Sequence, residues 1–162
     1  MRLLHTQLLK PFKPSLTLDN ILFKKTAILN VTTDVRIFAG CVLGKKNYEL
    51  VKIEGEEGYG LRNAISRTVL ELIKINDDKL RPELFMRKKN CIQISNFLGF
   101  NRAQSAVIEA AILVSRLKML PKDKIINEMK YLKIAVEKTA GPNEEEAWLW
   151  LTDSVNEFIS QH

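Results

Sequence analysis

The hydrophobic pattern of the chain changes at "GFNRAQSAVIEAAILVSRL", which spans residues Gly99–Leu117. Before this stretch, apolar residues alternate with polar ones or form short runs, as they do in β-strands. Within it they recur every three or four positions, which places Ala103, Val107 and Val114 in one stripe along a helix. Strands followed by helices predict an α+β fold, in which the helices are segregated from the sheet.

Polar residues at the start of this helix predict how it begins and what it contacts. Asn101 is placed to cap the helix, and Gln104 follows at the spacing of a capping box. Arg102, Ser105 and Glu109 fall on one helical face. If that face is buried, Glu109 requires a partner from another element or another subunit. If the face is a polar strip in solvent, no partner is required.

Two more helices are predicted downstream. Apolar residues between positions 125 and 136 form the stripe of the first, which Gly141-Pro142 stops. We expect the second to begin with Asn143 as its N-cap, with Glu146 three residues later. Its apolar stripe consists of Trp148, Leu151, Val155 and Phe158.

Four segments before residue 98 have the composition of β-strands. One of them, "ISRTVLELIKI", also fits a helix, but its Thr, Val and Ile content favours a strand. The stretch Gly55–Gly60 contains three glycines and predicts a loop. The strand segments are Lys25–Thr32, Tyr48–Gly55, Ile65–Ile75 and Asn90–Phe97.

Charge and hydropathy restrict the classes of partner. The formal net charge of +6 is compatible with nucleic acid or a phosphate-bearing ligand, although lysines used for solubility explain it as well. The basic run at Met86–Asn90 has no interleaved aromatic residues, which favours a solvated turn or a protected strand edge over a nucleic-acid contact. No apolar run approaches the roughly 20 residues of a membrane span, and no signal-peptide pattern is present. We therefore expect a cytoplasmic protein without a membrane or nucleic-acid partner.

The cysteines and histidines do not suggest a metal site. Cys41 and Cys91 are far apart and show no CxxC spacing, while His5 and His162 lie at the chain ends. This arrangement provides no plausible zinc ligand set and no nucleophile–histidine pair for catalysis. We expect buried free thiols and no metal.

Two segments are candidates for ligand binding. In "KPFKPSLTLDN" (Lys10–Asn20), hydroxyls and lysines precede a predicted helix, whose free backbone N–H groups favour a phosphate. Alternatively, Ser15 merely caps that helix. In "NVTTD" (Asn30–Asp34), polar residues follow a strand, where ligand contacts are frequent. Alternatively, Asp34 only caps a helix at residues 35–40.

Three stretches carry a family resemblance: "SLTLDNI", "ILNVTTDVRIFAGCVLG" and "FNRAQSAVIEAAILVSRLKML" with the later "EKTAGPNEEEAW". Together they are similar to an archaeal-centred family catalogued as domain of unknown function 447. Its members resemble the flavin-reductase type of FMN-binding split β-barrel with a C-terminal helical extension. The resemblance implies a split-barrel-like β domain over residues 1–98 and a three-helix extension over residues 99–162, packed on the barrel.

The resemblance also implies a homodimer with FMN bound near the subunit interface. The phosphate would be held at Ser15 and Thr17 with Lys13 nearby, and a strand end would lie close to the cofactor. If the protein is an enzyme, the implied reaction is flavin-mediated hydride or electron transfer, with the catalytic residues unknown. The implied cofactor-binding residues are Lys13, Ser15, Thr17, Asn20, Thr32, Thr33, Asp34 and Arg102.

Two departures from the family pattern lead to a second hypothesis. Family members carry strands before the Ser-x-Thr segment, so we expect part of the barrel and of the flavin site to be missing here. Ser105 also stands where a larger polar or imidazole side chain is expected. The alternative function is a cofactor-less homodimeric interaction module.

Overall fold

The computed structural model describes residues 6–46 and 48–161. Six strands and five helices occur in these ranges. A four-stranded antiparallel sheet has the order β1-β6-β5-β2, and β3 pairs with β4 in a second, two-stranded sheet. The predicted α+β class is confirmed. The elements are β1 (Thr6–Leu9), α1 (Leu16–Lys24), β2 (Thr26–Val31), α2 (Arg36–Val42), β3 (Leu50–Lys52), β4 (Tyr59–Leu61), β5 (Ser66–Asn76), β6 (Glu83–Gln93), α3 (Arg102–Val114), α4 (Lys122–Thr139) and α5 (Pro142–Gln161).

The chain forms two compact units. Of the described residues, the β unit contains residues 6–31 and Glu49–Asn96, and the helical unit contains residues 32–46, Tyr48 and residues 97–161. Val35 and Ala39 are part of the core that α3, α4 and α5 share. The division of the chain into domains 1–98 and 99–162 stays a prediction. The packing of the helices on the barrel stays a prediction.

A long β5–β6 hairpin organises the β unit. Its register runs from Ser66 opposite Gln93 to Asn76 opposite Glu83. Strand β5 confirms that the segment Ile65–Ile75 forms a strand and not a helix. Strand β6 begins at Glu83, seven residues before the predicted start at Asn90, and ends at Gln93. Helix α1 packs on this hairpin, and the shared core consists of Leu18, Ile21, Leu70, Leu84 and Met86.

The basic run lies on the hairpin rather than in a turn. In the described part of the chain, the pairing of β1 with β6 begins at Thr6, which is opposite Arg87. Lys88 and Lys89 are exposed on β6. The run therefore does not form a solvated turn, and its interpretation as a protected strand edge stays a prediction.

Arg67 connects β5 to the segment around β4. Its Nε and Nη2 donate to the carbonyl oxygen of Leu61 at 2.9 and 2.7 Å, and Nη2 also donates to the carbonyl of Arg62 at 2.9 Å. The Asn30 side chain accepts the Leu61 N–H at 2.9 Å. A Cβ added at Gly60 would lie 2.5 Å from the Arg67 Cδ, so the backbone of β4 approaches this arginine more closely than any side chain permits.

Helix α3 supplies the main stripe of the helical unit. Its predicted apolar residues are buried, and Asn101 Oδ1 accepts the Ala103 N–H at 2.7 Å, which confirms the N-cap. The predicted capping box does not form, because the Gln104 amide donates to Glu144 Oε1 on α5 at 3.0 Å. The face with Arg102 and Glu109 is exposed, so the polar-strip alternative is the one observed.

The predicted start of the last helix was wrong by a small margin. Helix α5 begins at Pro142, so Asn143 lies inside its first turn and is not the N-cap. The Glu144 carboxylate accepts the Gly141 N–H at 2.9 Å and is itself buried. A proline at the first helical position loses no hydrogen bond, and an acidic first turn suits the helix dipole.

Candidate functional site

The strongest candidate for ligand binding lies at the start of α1. Ser15 is the N-cap, and its Oγ accepts the Leu18 N–H at 3.2 Å. The capping alternative is therefore observed, but a hydroxyl that accepts one bond keeps its hydrogen for another acceptor. Thr17 and Asn20 are exposed on α1, and no hydrogen bond to their side chains comes from residues 6–46 or 48–161. This end of α1 thus presents hydroxyl and amide groups to solvent.

Lys13 provides a positive charge two residues before the cap. Its Nζ lies 2.5 Å from Asp77 Oδ1, in the turn between β5 and β6. The hydrogen bond and charge of Lys13 hold the pKa of Asp77 below its usual range. The lysine side chain is 34 % exposed and that of the aspartate 79 %, so solvent and salt reach the pair. Sequence analysis did not identify Asp77, and its distance along the chain left no local signal.

The strap, residues 10–14, is fastened to the same turn by further contacts. The backbone N–H of Lys13 donates to the carbonyl of Leu80 at 2.8 Å. Lys10 forms an ion pair with Glu83 at 2.6 Å. The Arg81 guanidinium lies 4.5 Å from the centre of the Phe12 ring, which is a cation–π contact. The β5–β6 turn therefore positions the strap that leads into Ser15.

A second group of predicted residues lies in the helical unit. The Thr32 hydroxyl accepts the Asp34 N–H at 3.1 Å, and Asp34 Oδ1 accepts the Arg36 N–H at 3.2 Å. The Arg36 guanidinium contacts both Asp34 oxygens, at 2.9 and 2.7 Å, and also donates to Glu146 at 3.2 Å. Hydrogen bonds from Arg36 hold the pKa of Asp34 below its usual range. Asp34 thus binds the N–H of the first residue of α2, but the N-cap is Val35, so the interpretation of Asp34 as the helix cap was wrong.

Sequence analysis missed Arg36 and Glu146, which complete this ion-pair network. In the sequence, the Asp-x-Arg spacing of Asp34 and Arg36 could have identified Arg36. Thr33 is half-buried, and within the described chain its side chain has no hydrogen bond. Arg102 is the first residue of α3 and is exposed. Lys13 and Ser15 lie two residues apart in the β unit, and Thr32 and Asp34 are in contact in the helical unit.

Described residues of the β unit line two open pockets. One, of about 260 Å³, is formed by the last residue of α1, by β2 and by residues Gly55–Glu57. The other, of about 450 Å³, is lined by charged residues of the β5–β6 turn and by Lys10. Neither of these two pockets is lined by Ser15 or Thr17.

An exposed apolar segment follows β6. Leu98 and Phe100 are both 98 % exposed. The ring of Phe97 contacts that of Phe100 edge to face, with 5.3 Å between the ring centres. Exposed aromatic and aliphatic side chains that are contiguous in this way mark interaction surfaces in soluble proteins.

Metal-ligand clusters and membrane-spanning helices are absent from the described ranges of the chain. In residues 6–46 and 48–161, no three His, Cys, Asp or Glu side chains are grouped to hold a metal ion. None of the helices described is long and apolar enough to cross a bilayer. Cys41 and Cys91 are free, as expected, but they are exposed, so the predicted burial was wrong.

The fold is similar to that of a solved FMN-bound structure. An FMN-bound protein from Methanosarcina mazei, of 21 % sequence identity, matches with a TM-score of 0.75, covering 95 % of this chain and 83 % of its own. An NADH:FAD oxidoreductase from Streptomyces globisporus has 9 % identity and a TM-score of 0.47, with 55 % of this chain and 58 % of its own covered, which is too distant to support an argument. No curated protein matches the chain.

Family models account for most of the sequence. The N-terminal domain described as Protein of unknown function (DUF447) matches residues 4–94, and the C-terminal model of the same family matches residues 101–153. The Methanosarcina mazei protein is assigned to the same family. The resemblance carried by the three sequence stretches is confirmed: the chain belongs to the DUF447 family.

Proposed function

We propose that this protein binds FMN and that the start of α1 holds the cofactor's phosphate. The observation that carries the proposal is the Ser15–Thr17 donor set at a helix N-terminus, in a chain that shares its fold with an FMN-bound member of its family. A split-barrel arrangement of the β domain is part of the same proposal. The physiological role is not assigned.

The residues present suit a phosphate monoester. Ser15 and Thr17 can each donate a hydroxyl hydrogen, and the N-terminus of a nine-residue helix adds a favourable dipole. Lys13 contributes an ammonium group, which is strongly attracted to phosphate. Asn20 lies within α1 and not in the preceding turn, and it stays a proposal as a cofactor contact.

The remaining predicted residues stay proposals as neighbours of the cofactor: Thr32, Thr33, Asp34 and Arg102. FMN, when bound, supplies one- and two-electron redox chemistry, so an active protein would be a flavin-dependent oxidoreductase. The chain itself would contribute phosphate anchors, a shaped surface and exclusion of water.

We also propose that two copies of the chain associate. The exposed apolar segment at Phe97–Phe100 supports this, because Leu98 and Phe100 are almost fully exposed in a single chain. Light scattering on a size-exclusion column would detect the dimer, and replacing both residues with serine should weaken it. The same dimer without any flavin would instead fit the interaction-module alternative.

The deciding experiment is a titration of the purified protein with FMN and, in parallel, with riboflavin. We expect quenched or shifted flavin fluorescence and a melting temperature that rises with FMN concentration, since a ligand stabilises the state it binds. FMN should bind more tightly than riboflavin because only FMN carries the phosphate. An unchanged fluorescence spectrum together with an unchanged melting temperature would overturn the proposal.

A further inference from the structure

We propose that Asp77 is a specificity-determining residue: it competes with the ligand's phosphate for the Lys13 ammonium and so sets how strongly a phosphorylated flavin is preferred over an unphosphorylated one. The inference rests on the proposed function, because it concerns the same phosphate site. Asp77 reaches that site only through the fold, since it lies 64 residues from Lys13 along the chain.

The geometry places the carboxylate directly on the ammonium. Lys13 Nζ and Asp77 Oδ1 are 2.5 Å apart, and Lys13 is separated from Ser15 by a single residue. A phosphate held at Ser15 would therefore interact with a Lys13 ammonium whose charge the Asp77 carboxylate already partly neutralises. It would also be repelled by the carboxylate, since both groups are negative at neutral pH.

The carboxylate is not needed to hold the strap in place. The bond from the Lys13 N–H to Leu80 (2.8 Å) and the Lys10–Glu83 pair (2.6 Å) remain when Asp77 is changed. Because the Asp77 side chain is 79 % exposed, replacing it opens no cavity. Asp77→Asn should therefore release the ammonium without displacing the backbone.

A matched pair at the other end of the same helix provides the control. Lys24, the last residue of α1, pairs with Glu57 at 3.3 Å, and both side chains are exposed. Nine helical residues span about 13 Å. This exceeds the screening length of about 8–10 Å at moderate salt. Glu57→Gln thus removes the same charge from the same unit without altering the field at Ser15.

The experiment measures FMN and riboflavin affinities for the wild type, Asp77→Asn and Glu57→Gln by fluorescence titration at low ionic strength. Exposed ion pairs are weak, so we expect the FMN-to-riboflavin affinity ratio to rise about two- to five-fold in Asp77→Asn. The ratio should stay unchanged in Glu57→Gln. In a Lys13→Met background, Asp77→Asn should raise the ratio less than it does in the wild type, because only the direct repulsion is relieved and there is no ammonium to release.

The outcomes separate this inference from the proposed function. A ratio that rises in Asp77→Asn but not in Glu57→Gln, and that rises more when Lys13 is present than when it is absent, supports it. FMN binding by the wild type with an unchanged or lower ratio in Asp77→Asn overturns the inference and leaves FMN binding intact. A rise of the same size in the Lys13→Met background overturns the competition for the ammonium. Absence of binding in the wild type and in every variant overturns both proposals.

Discussion

Substitutions at Ser15 separate its capping role from its proposed ligand role. Ser15→Ala removes the oxygen that accepts the Leu18 N–H, which should lower the free energy of unfolding by about 1 kcal/mol. Ser15→Asp keeps an equally good capping oxygen, so its stability should stay within about 0.5 kcal/mol of the wild type. It adds a negative charge at the place where the phosphate would lie. At about 5 Å and an effective dielectric constant of about 20, the repulsion exceeds 2 kcal/mol, or roughly thirty-fold in FMN affinity.

Thermal melts followed by circular dichroism would measure the first effect, and FMN fluorescence titrations the second. Riboflavin, which has no phosphate, serves as the internal control and should bind Ser15→Asp about as well as the wild type. The expected pattern is a stable Ser15→Asp variant with weak FMN binding. If this variant binds FMN as the wild type does, the phosphate does not lie at the start of α1, and Ser15 is only a helix cap.

Three further predictions concern the stability of the two units. Arg67→Met should lower the free energy of unfolding of the β unit by about 2 kcal/mol in denaturant, because it removes charge-assisted hydrogen bonds to two carbonyl groups. The control Arg62→Met breaks only the exposed ion pair with Glu49 and should change this free energy by less than about 0.5 kcal/mol. Equal losses in the two variants would contradict the role given to Arg67. Lys25 has a φ of 59° at the C-cap of α1, so Lys25→Gly should raise the melting temperature slightly, and a lower value would show that its side chain contributes more than the strain costs. The pKa of Asp34 is lower in the folded state than in the unfolded chain, so its contribution to stability is complete above the unfolded pKa and lost as pH falls through the folded pKa. Asp34→Asn should therefore remove this part of the pH dependence of the free energy of unfolding, measured between about pH 2 and 5. An unchanged pH profile in the variant would exclude this contribution of Asp34.

Local features of the sequence predicted the elements well. Ser15 and Asn101 cap their helices as their residue types indicate, and the stripe of α3 is buried where its period places it. One error occurred where a side chain had a choice of partners. Gln104 was expected to return a bond to its own helix, but it donates to Glu144, which lies 40 residues away.

The candidate site was only partly predictable for the same reason. The sequence identified Lys13 and Ser15, since an ammonium and a hydroxyl before a helix suit a phosphate wherever they occur. It did not identify Asp77 as the partner of that ammonium, or Arg36 as the partner of Asp34 and Glu146. Those pairs depend on which segments the fold brings together, and charge patterns alone do not specify them.

The sequence by itself determined the family, the α+β class and the start of α1 and α3, because these follow from short-range periodicity, capping chemistry and motifs that are contiguous in the chain. Tertiary structure alone decided that residues 32–46 and Tyr48 join the helical unit and that Asp77 meets Lys13. Burial of Val35 and Ala39 against distant helices, and contact between groups 64 residues apart, are properties of the packed chain. The same local sequence is compatible with several such arrangements, and the free energy of packing selects one of them.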